Sequence, residues 1–298
     1  MISKSKQNKI NTLVACLILT IISICCIIPF LLLVIGSLTD NNVIINEGYS
    51  FFPSKWSAAA YEYLGKDFEA MVNAYLVTIF TTVFGTILGL LISSMLAYGL
   101  AHNNLKGSRI LNFLVLFTIL FNGGLVPTYL MYTQLFHIKN TIWAQIFPSL
   151  LVNGFYVMLL RSYFRTNIPQ ELYEAARIDG ASEARVFFRI CLPLSRPILA
   201  TVGLMQGLAY WNSWLNGLYY LTDTKYYNVQ NVLNRLLLDI RYLKSGFFGD
   251  MAGEMLATMP TDSVIMAIAV VGVLPMLFIY PFFQKYYVKG ITLGGVKG

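Results

Sequence analysis

The chain has few charged residues and few residues of the types that form catalytic sites, metal sites or disulfides. Only 12% of its 298 residues are charged, against about 25% in soluble domains of average composition. Its mean hydropathy is high, at +0.63. This composition argues against a soluble globule. A large soluble core would require unusually many long uncharged helices with no amphipathic helices around them, and we do not favour it.

Residues for catalysis, metal binding or disulfide formation are also scarce. The sequence has no glycine-rich phosphate-binding loop followed by Lys and Ser or Thr. The two histidines and four cysteines lie in or near apolar segments: His102, His137, Cys16, Cys25, Cys26 and Cys191. We therefore predict no catalytic residue, no metal site, no disulfide framework and no cofactor bound by this chain.

Charge is absent altogether from six long apolar stretches. They are 11–37, 73–100, 110–136, 140–160, 197–222 and 263–284. Each reaches the roughly 20 residues that a helix needs to cross a hydrocarbon core about 30 Å thick. The first stretch is too long for a secretory signal and lacks a small-residue cleavage site, so we interpret it as a retained helix. The sequence therefore predicts a multi-pass membrane protein with six transmembrane helices.

The basic residues are distributed unevenly among the loops that join these helices. Most of the 21 lysines and arginines fall in 1–10, 101–109, 161–196 and 285–298. Most of the 14 acidic residues fall in 38–72, 137–139 and 223–262. Because loops rich in Lys and Arg stay in the cytoplasm, both termini are predicted to be cytoplasmic. This asymmetry explains the net charge of +7, so no nucleic-acid partner is predicted.

Two predicted helices contain small residues with structural consequences. The third is interrupted at 122–124 by Asn-Gly-Gly and again at Pro127. A break in mid-membrane frees backbone groups that are tolerated only against protein or a water-filled cavity, so we predict a bend facing the interior. A packing kink and a direct substrate role both remain open. In the second helix, Gly85 and Gly89 favour close packing of another helix.

The predicted outer loops contain aromatic and amphipathic stretches. Residues 51–56 are rich in aromatic side chains and are interpreted as lying at the membrane surface, with a neighbouring subunit as the alternative. The loop 223–262 has an apolar stripe at helical spacing, formed by Val229, Val232, Leu233, Leu236, Leu237 and Ile240. Its polar face is predicted to contain Asn231, Asn234, Arg235 and Asp239. We interpret this outer helix as a lid or platform for an external partner, or as a structural cap.

The cytoplasmic segment 161–196, which we call the insert, has the clearest helix signals in the chain. Pro169 suits the first turn of a helix that Gly180 would end. Ser182 can cap a second helix that runs to Pro193. The sequence therefore predicts two short helices joined at Gly180, and a soluble partner that they contact.

The insert contains Glu-Ala-Ala-Arg-Ile-Asp-Gly at 174–180 and Ile-Cys-Leu-Pro at 190–193. These runs closely resemble the EAA motif of the permease subunits of bacterial ABC importers. The stretch 169–201 resembles the carbohydrate-uptake branch, 122–221 the LplC/YtcP group, and 290–298 the ending of MalG-like permeases. The resemblance implies an all-α membrane protein with the type I ABC importer permease fold and a coupling helix between spans 4 and 5.

The chain is divided accordingly into three parts. Residues 1–72 form an N-terminal transmembrane helix and outer loop, 73–284 the permease domain, and 285–298 a cytoplasmic tail. The resemblance implies contact with a cytoplasmic ATPase through Glu174, Ala175, Ala176, Arg177, Asp179 and Gly180, and through the tail residues Gly294, Gly295 and Lys297. Two such ATPase subunits would bind ATP and Mg. A second homologous permease and an extracytoplasmic solute-binding protein would complete the assembly in the bilayer of the bacterial cell membrane.

Aromatic and amide side chains are concentrated in the predicted fifth helix. Sugars bind by stacking on aromatic faces and by hydrogen bonds to amides. The candidate substrate path comprises Asn122, Tyr129, Asn153, Tyr156, Gln206, Tyr210, Trp211, Asn212, Trp214 and Asn216. An interfacial aromatic belt is the alternative, although amides are not favoured against lipid. The predicted substrate is an oligosaccharide or polysaccharide fragment.

Other classes of function fit the sequence less well. A secondary transporter would normally have ionisable residues inside its spans, and the six stretches have none. An intramembrane enzyme would need paired acids, a histidine–metal cluster or a nucleophile with a base at membrane depth. An ABC importer for a non-sugar solute remains the nearest alternative.

Overall fold

A computed structural model describes residues 4–101, 107–244 and 261–295. The described residues are mostly helical, which confirms the predicted all-α class. The helices are α1 (Lys4–Ser37), α2 (Asn41–Glu47), α3 (Ala59–Leu64), α4 (Phe68–Ala101), α5 (Ser108–Leu120), α6 (Leu125–Leu130), α7 (Trp143–Ile146), α8 (Gly154–Thr166), α9 (Gln170–Ile178), α10 (Glu183–Val186), α11 (Leu192–Leu194), α12 (Arg196–Trp211), α13 (Leu215–Tyr220), α14 (Val229–Lys244) and α15 (Thr261–Gly295). Short 3-10 turns lie at Gly65–Asp67 and Thr224–Tyr226, and π-helical turns at Met131–Leu135 and Phe187–Cys191.

Several of these helices are suited to crossing a membrane. Within the described ranges, three stretches are long and apolar enough: Asn11–Ser37, Ala59–Ala101 and Thr261–Ile279. Two bent pairs would each add a crossing if they act together, Ser108–Leu120 with Leu125–Leu135 and Glu183–Leu194 with Arg196–Trp211. Length and composition thus support three to five crossings, and the count of six stays a prediction.

The bend predicted at 122–124 is confirmed. α5 ends at Leu120 and α6 begins at Leu125, with an angle of 117° between the two helical segments. Gly124 has a φ of +83°, a backbone conformation that glycine adopts without steric cost. The side chain of Asn122 closes the turn, because its Oδ1 accepts from the Gly124 amide at 2.9 Å.

The predicted fourth crossing, 140–160, is not one continuous helix. α7 ends at Ile146 and α8 begins only at Gly154. Pro148 has no amide hydrogen to donate, and Ser149 adopts a φ of +60°, so helical hydrogen bonding stops here. The side chain of Asn153 then caps α8 by accepting from the Phe155 amide at 2.9 Å. We call the non-helical residues 147–153 the break segment.

The chain forms two compact units, which we describe separately. The first comprises Met1–Phe68 and Arg235–Pro275. In it, the Oδ1 of Asn41 accepts from the amides of Asp262 and Ser263, at 2.8 and 3.3 Å, and so satisfies donors at the start of α15. Side chains of α1 from residue 11 to residue 31 are exposed. This exposure is expected for a helix that faces lipid or another subunit.

The second unit comprises Glu69–Asn234 and Met276–Gly298. Its buried core joins the end of α4 to α8, the insert and α12 through Ala97, Tyr98, Leu100, Val157, Leu160, Phe164, Ile168, Tyr173, Val186, Phe187, Cys191, Ile198 and Val202. Nearer the middle of α4, the predicted close packing at Gly85 and Gly89 is confirmed. A Cβ atom at Gly85 would overlap the ring of Tyr210, and one at Gly89 would overlap Gln206.

We predict that Gly89→Ala lowers the stability of the protein by about 1–3 kcal/mol, the usual cost of overpacking. The added Cβ would lie 2.5 Å from the carbonyl oxygen of Leu151, and a backbone atom cannot move aside as a flexible side chain can. The measurement is the thermal unfolding midpoint in detergent. The matched control is Gly65→Ala, where a Cβ meets nothing within 4 Å. Equal midpoints for both variants would contradict the packing described.

Candidate transport cavity and coupling insert

The insert has the predicted arrangement of two short helices around Gly180. α9 ends in a Schellman motif, because the amide of Ala181 donates to Ala176 O at 2.9 Å and that of Gly180 donates to Arg177 O at 3.0 Å. Gly180 has a φ of +78°. Ser182 caps α10 by accepting from the Arg185 amide at 3.4 Å.

The second helix of the insert runs slightly further than its sequence signals indicate. It continues through the π-helical turn Phe187–Cys191 and ends at Leu194, one residue beyond the predicted Pro193. α12 then begins at Arg196 with a bend of 82°. The insert therefore connects directly to the predicted fifth crossing.

The tip of the insert is open to solvent. Among the residues predicted to contact an ATPase, Glu174, Ala175, Asp179 and Gly180 are exposed, while Ala176 and Arg177 are half-buried. The side chain of Ile178 is 87% exposed, although its type favours burial. Ile178 is not among the contact residues predicted from the sequence. Its position inside the motif is the signal that could have identified it. The tip thus presents an apolar residue surrounded by polar ones.

The base of the insert is joined to α4 by a hydrogen-bonded group. Tyr98 donates its hydroxyl to Glu183 Oε2 at 2.7 Å, and Arg177 donates Nε to Glu183 Oε1 at 2.7 Å. The hydrogen bond that Arg177 donates to Glu183 raises the pKa of the Arg177 guanidinium. The ring of Tyr98 also packs edge-on to Tyr173, with centroids 6.0 Å apart, and burial raises the pKa of the Tyr173 hydroxyl.

Neither Tyr98 nor Glu183 was selected from the sequence. Tyr98 lies at the end of a charge-free stretch, where tyrosines are common because they favour the boundary between lipid and water. The tail gives less information: Gly294 and Gly295 are the last residues of α15, and Lys297 lies outside the described residues.

A cavity of about 460 Å³ lies beside the break segment. Four residues of the predicted substrate path line it: Asn122, Asn212, Trp214 and Asn216. Its other lining residues are Gly124, Leu125, Thr128, Pro148, Ser149, Leu150, Ala209, Ser213, Leu215, Tyr219 and Tyr220. The bend at 122–124, the break segment and the α12–α13 junction thus meet at one place. Residues 148–150 were not predicted to line the cavity, although Pro148 was an available signal for a non-helical backbone.

Two further residues of the predicted path are buried and hold the break segment and the end of α7 before it. Gln206 donates Nε2 to the carbonyl oxygens of Leu150 and Leu151, at 3.3 and 3.1 Å. Tyr210 donates its hydroxyl to Ile146 O at 2.9 Å. These contacts satisfy carbonyl groups that a helix would have paired internally.

The remaining four residues of the predicted path lie elsewhere. Trp211 lines a separate apolar pocket of about 360 Å³, beside Thr86 and Gly207. Tyr129 stacks on Tyr220 with ring centroids 5.6 Å apart. Asn153 caps α8, and Tyr156 packs against the buried core. The structure therefore does not bring these side chains together with the four that line the cavity.

The predicted amphipathic outer helix is present as α14. Asn231 was expected on its polar face, and this was wrong, because the residue is buried. Its Oδ1 accepts from Gln145 Nε2 at 2.8 Å, and its Nδ2 donates to Trp214 O at 2.6 Å. Asn228 similarly donates to Ser213 O at 2.6 Å. The start of α14 is therefore fixed to the backbone of the α12–α13 junction, which also lines the cavity.

Comparison with known proteins gives a consistent result. Residues 85–293 match the family described as the binding-protein-dependent transport system inner membrane component. The chain belongs to this family. Within it, the chain is 34% identical to YtcP, a polygalacturonan/rhamnogalacturonan transport system permease protein of Bacillus subtilis (strain 168), over 94% of this chain and 96% of YtcP. It is also 34% identical to the protein LplC of the same organism, over 91% of this chain and 90% of LplC.

A solved structure is also similar to this chain over nearly its whole length. It is the crystal structure of a bacterial ABC transporter involved in the import of the acidic polysaccharide alginate. The TM-score is 0.80 at 27% identity, covering 96% of this chain and 99% of that chain. As an inner membrane component of such a system, this chain is a multi-pass ABC transporter permease.

We predict that Gln206→Leu destabilises this permease by about 1–3 kcal/mol, because it leaves the half-buried carbonyl groups of Leu150 and Leu151 without their donor. The measurement is again the thermal midpoint in detergent. Gln134→Leu is the matched control, because it makes the same change of side chain at an exposed residue. If the Gln206 variant were as stable as the control, the break segment would not depend on this hydrogen bond.

Proposed function

We propose that this chain is the permease subunit of an ATP-driven importer for an oligosaccharide or polysaccharide fragment. The observation that supports the substrate class is the cavity, where Trp214 lies among the amides of Asn122, Asn212 and Asn216. Aromatic faces and amides are the groups that bind sugars. The glycan systems named for YtcP and for the alginate transporter support the same class.

The chain would form half of the translocation path. A second homologous permease would supply the other half, and an extracytoplasmic solute-binding protein would deliver the glycan. We propose six crossings, with the fourth formed by α7, the break segment and α8. We propose that both termini lie in the cytoplasm, because the loops predicted on the same side of the membrane as the termini contain the excess of Lys and Arg.

Two cytoplasmic ATPase subunits would bind ATP and Mg and act on the tip of the insert. The exposed side chains of Ile178, Glu174 and Asp179 support docking of a partner there. Gly294, Gly295 and Lys297 of the tail would contact the same subunits. ATP binding favours one arrangement of the permease only if the ATPase has different affinities for its two arrangements.

The hydrogen-bonded group of Tyr98, Arg177 and Glu183 connects the insert, where the ATPase would dock, to α4. The insert is hydrogen-bonded to α4 through Tyr98, and it continues into α12, whose C-terminal end lines the cavity. A displacement of the insert is therefore transmitted to both helices. In this mechanism the permease makes and breaks no covalent bond.

The proposed function is tested with the whole complex in proteoliposomes, using a panel of oligosaccharides, peptides and inorganic ions. We expect only glycans delivered by the binding protein to stimulate ATP hydrolysis and to accumulate inside. Stimulation by peptides or ions, with none by any glycan, would overturn the substrate class but leave the permease assignment intact. Uptake without ATP hydrolysis would overturn the ATP-driven mechanism.

We predict that Tyr98→Phe reduces glycan uptake per ATP hydrolysed about threefold or more. The variant keeps the ring but removes a hydrogen bond to a charged group, typically worth about 1.5–3 kcal/mol. Tyr163→Phe removes a hydroxyl from the same core and serves as the control. If both variants imported glycan with unchanged coupling, Tyr98 would not transmit the movement of the insert.

A further inference from the structure

Asn140 is hydrogen-bonded to a distant part of the chain that adjoins the cavity. It lies in the connection between the π-helical turn Met131–Leu135 and the start of α7. Its Oδ1 accepts from the amides of Thr222 and Asp223, at 2.6 and 3.2 Å. Its Nδ2 donates to Thr222 Oγ1 at 2.7 Å, and its own amide donates to Tyr220 O at 3.0 Å. Asn140 therefore holds the end of α13 and the residues that follow it.

The backbone conformation of Asn140 suits few residue types. Its φ is +55°, in the left-handed region that Asn enters more readily than most other residues with a side chain. An Asn side chain can also donate and accept at once, as Asn140 does. His137, three residues earlier, has a similar φ of +52° but is exposed. The two positions thus share a backbone conformation and differ in what their side chains contact.

The residues that Asn140 holds form part of the cavity wall. Tyr219 and Tyr220 are the last two residues of α13, and both line the cavity. Tyr220 is 2% exposed; its ring stacks on Tyr129 and meets Tyr132 edge-on, with centroids 6.1 Å apart in the second pair. Tyr129 belongs to α6, whose first residues also line the cavity. Asn140 therefore secures the place where two parts of the wall meet.

α13 depends on such contacts because it has only six residues. A helix of this length is not stable by itself, and its last carbonyl groups have no partner inside the helix. Its beginning is held by Asn231, which donates to Trp214 O, and by Asn216, which donates to Pro148 O. Its end is held by Asn140, which donates to Tyr220 O.

We propose that Asn140 is a positioning residue for transport, which keeps Tyr219 and Tyr220 in the cavity wall and so sets the rate at which substrate passes. Asn140 does not line the cavity itself, so it acts through these two tyrosines. This inference rests on the proposed use of the cavity as the substrate path. It adds a residue that lies outside the cavity and outside the coupling motif.

The test compares Asn140→Gly with wild type in the complete transport complex in proteoliposomes. Glycine adopts a positive φ without steric cost, so this variant removes the side-chain hydrogen bonds and leaves the backbone conformation accessible. His137→Gly is the matched control, because it makes the same change of backbone freedom at an exposed residue. Two quantities are measured: the maximal rate of glycan uptake, and the concentration of glycan-loaded binding protein that gives half of it. Rates are normalised to the amount of assembled complex.

We expect Asn140→Gly to lower the maximal rate about fivefold or more, the change that one typical hydrogen bond accounts for. The half-saturating concentration and both values for His137→Gly should stay within about twofold of wild type. Asn140→Asp should retain more of the rate than Asn140→Gly, because its carboxylate can still accept from the amides of Thr222 and Asp223.

Hydrogen exchange in the same complexes measures the contact itself. In Asn140→Gly, the amides of Thr222 and Asp223 should exchange at least about threefold faster, because they lose their acceptor. Amides of α12 should exchange at the wild-type rate. Faster exchange in α12 as well would indicate a general loss of stability and would contradict a local role for Asn140.

Two further results would overturn the inference. One is an Asn140→Gly complex that imports glycan as fast as His137→Gly although its Thr222 and Asp223 amides exchange faster. The other is a raised half-saturating concentration with an unchanged maximal rate, which would assign Asn140 to docking of the binding protein. If Asn140→Gly does not assemble, Thr222→Val removes the hydroxyl that Asn140 contacts, and a wild-type maximal rate in that variant would overturn the inference.

These outcomes are distinct from a failure of the proposed function. If the wild type imported no glycan while importing another solute, the glycan function would fail, and this inference would fail with it. If the wild type imported glycan and Asn140→Gly matched His137→Gly, only the role of Asn140 would fail.

Discussion

The architecture around the cavity depends on one constraint, the need to satisfy the carbonyl groups of the break segment. Lipid offers no hydrogen-bond donor, so a non-helical backbone at membrane depth must be paired by protein or water. Gln206 and Asn216 donate to the break segment from α12 and α13, and Tyr210 donates to Ile146 O at the end of α7. Gly85 and Gly89 allow α4 to approach Tyr210 and Gln206 closely. The break segment, held by these hydrogen bonds, forms part of the cavity wall through Pro148, Ser149 and Leu150.

Hydrogen bonds of polar side chains also join neighbouring elements on both sides of the cavity. On the side that we place outside the cell, Asn228 and Asn231 bind the backbone at the α12–α13 junction. On the side of the insert, Tyr98 and Arg177 share the carboxylate of Glu183. The contacts of Asn228, Asn231 and Tyr98 are at least partly buried, and buried polar groups are costly to separate, so we expect these contacts to keep their elements together when the protein changes arrangement.

Much of the fold followed from elementary patterns in the sequence. Charge-free stretches predicted membrane helices, Gly180 and Ser182 predicted the insert, and the glycines at 123–124 predicted a sharp bend. The break segment was not predicted, because the length and apolar character of 140–160 favoured one continuous helix, although Pro148 and Asn153 are signals for a break and a new helix start. Amides in the fifth helix were predicted to matter, but the sequence cannot distinguish Asn216, which lines the cavity, from Gln206, which does not, although both donate to the break segment. That distinction depends on which element packs opposite.

The central claim is that ATP binding at the partner subunits, transmitted through the insert, changes the cavity of this chain. The most direct measurement is the labelling rate of Ser213→Cys, in a complex whose chain lacks Cys16, Cys25, Cys26 and Cys191, by a membrane-impermeant thiol reagent. The account predicts that the rate changes several-fold, on the order of 1 kcal/mol in accessibility, between the nucleotide-free and ATP-bound states. Identical rates in the two states, in a complex that imports glycan, would contradict it.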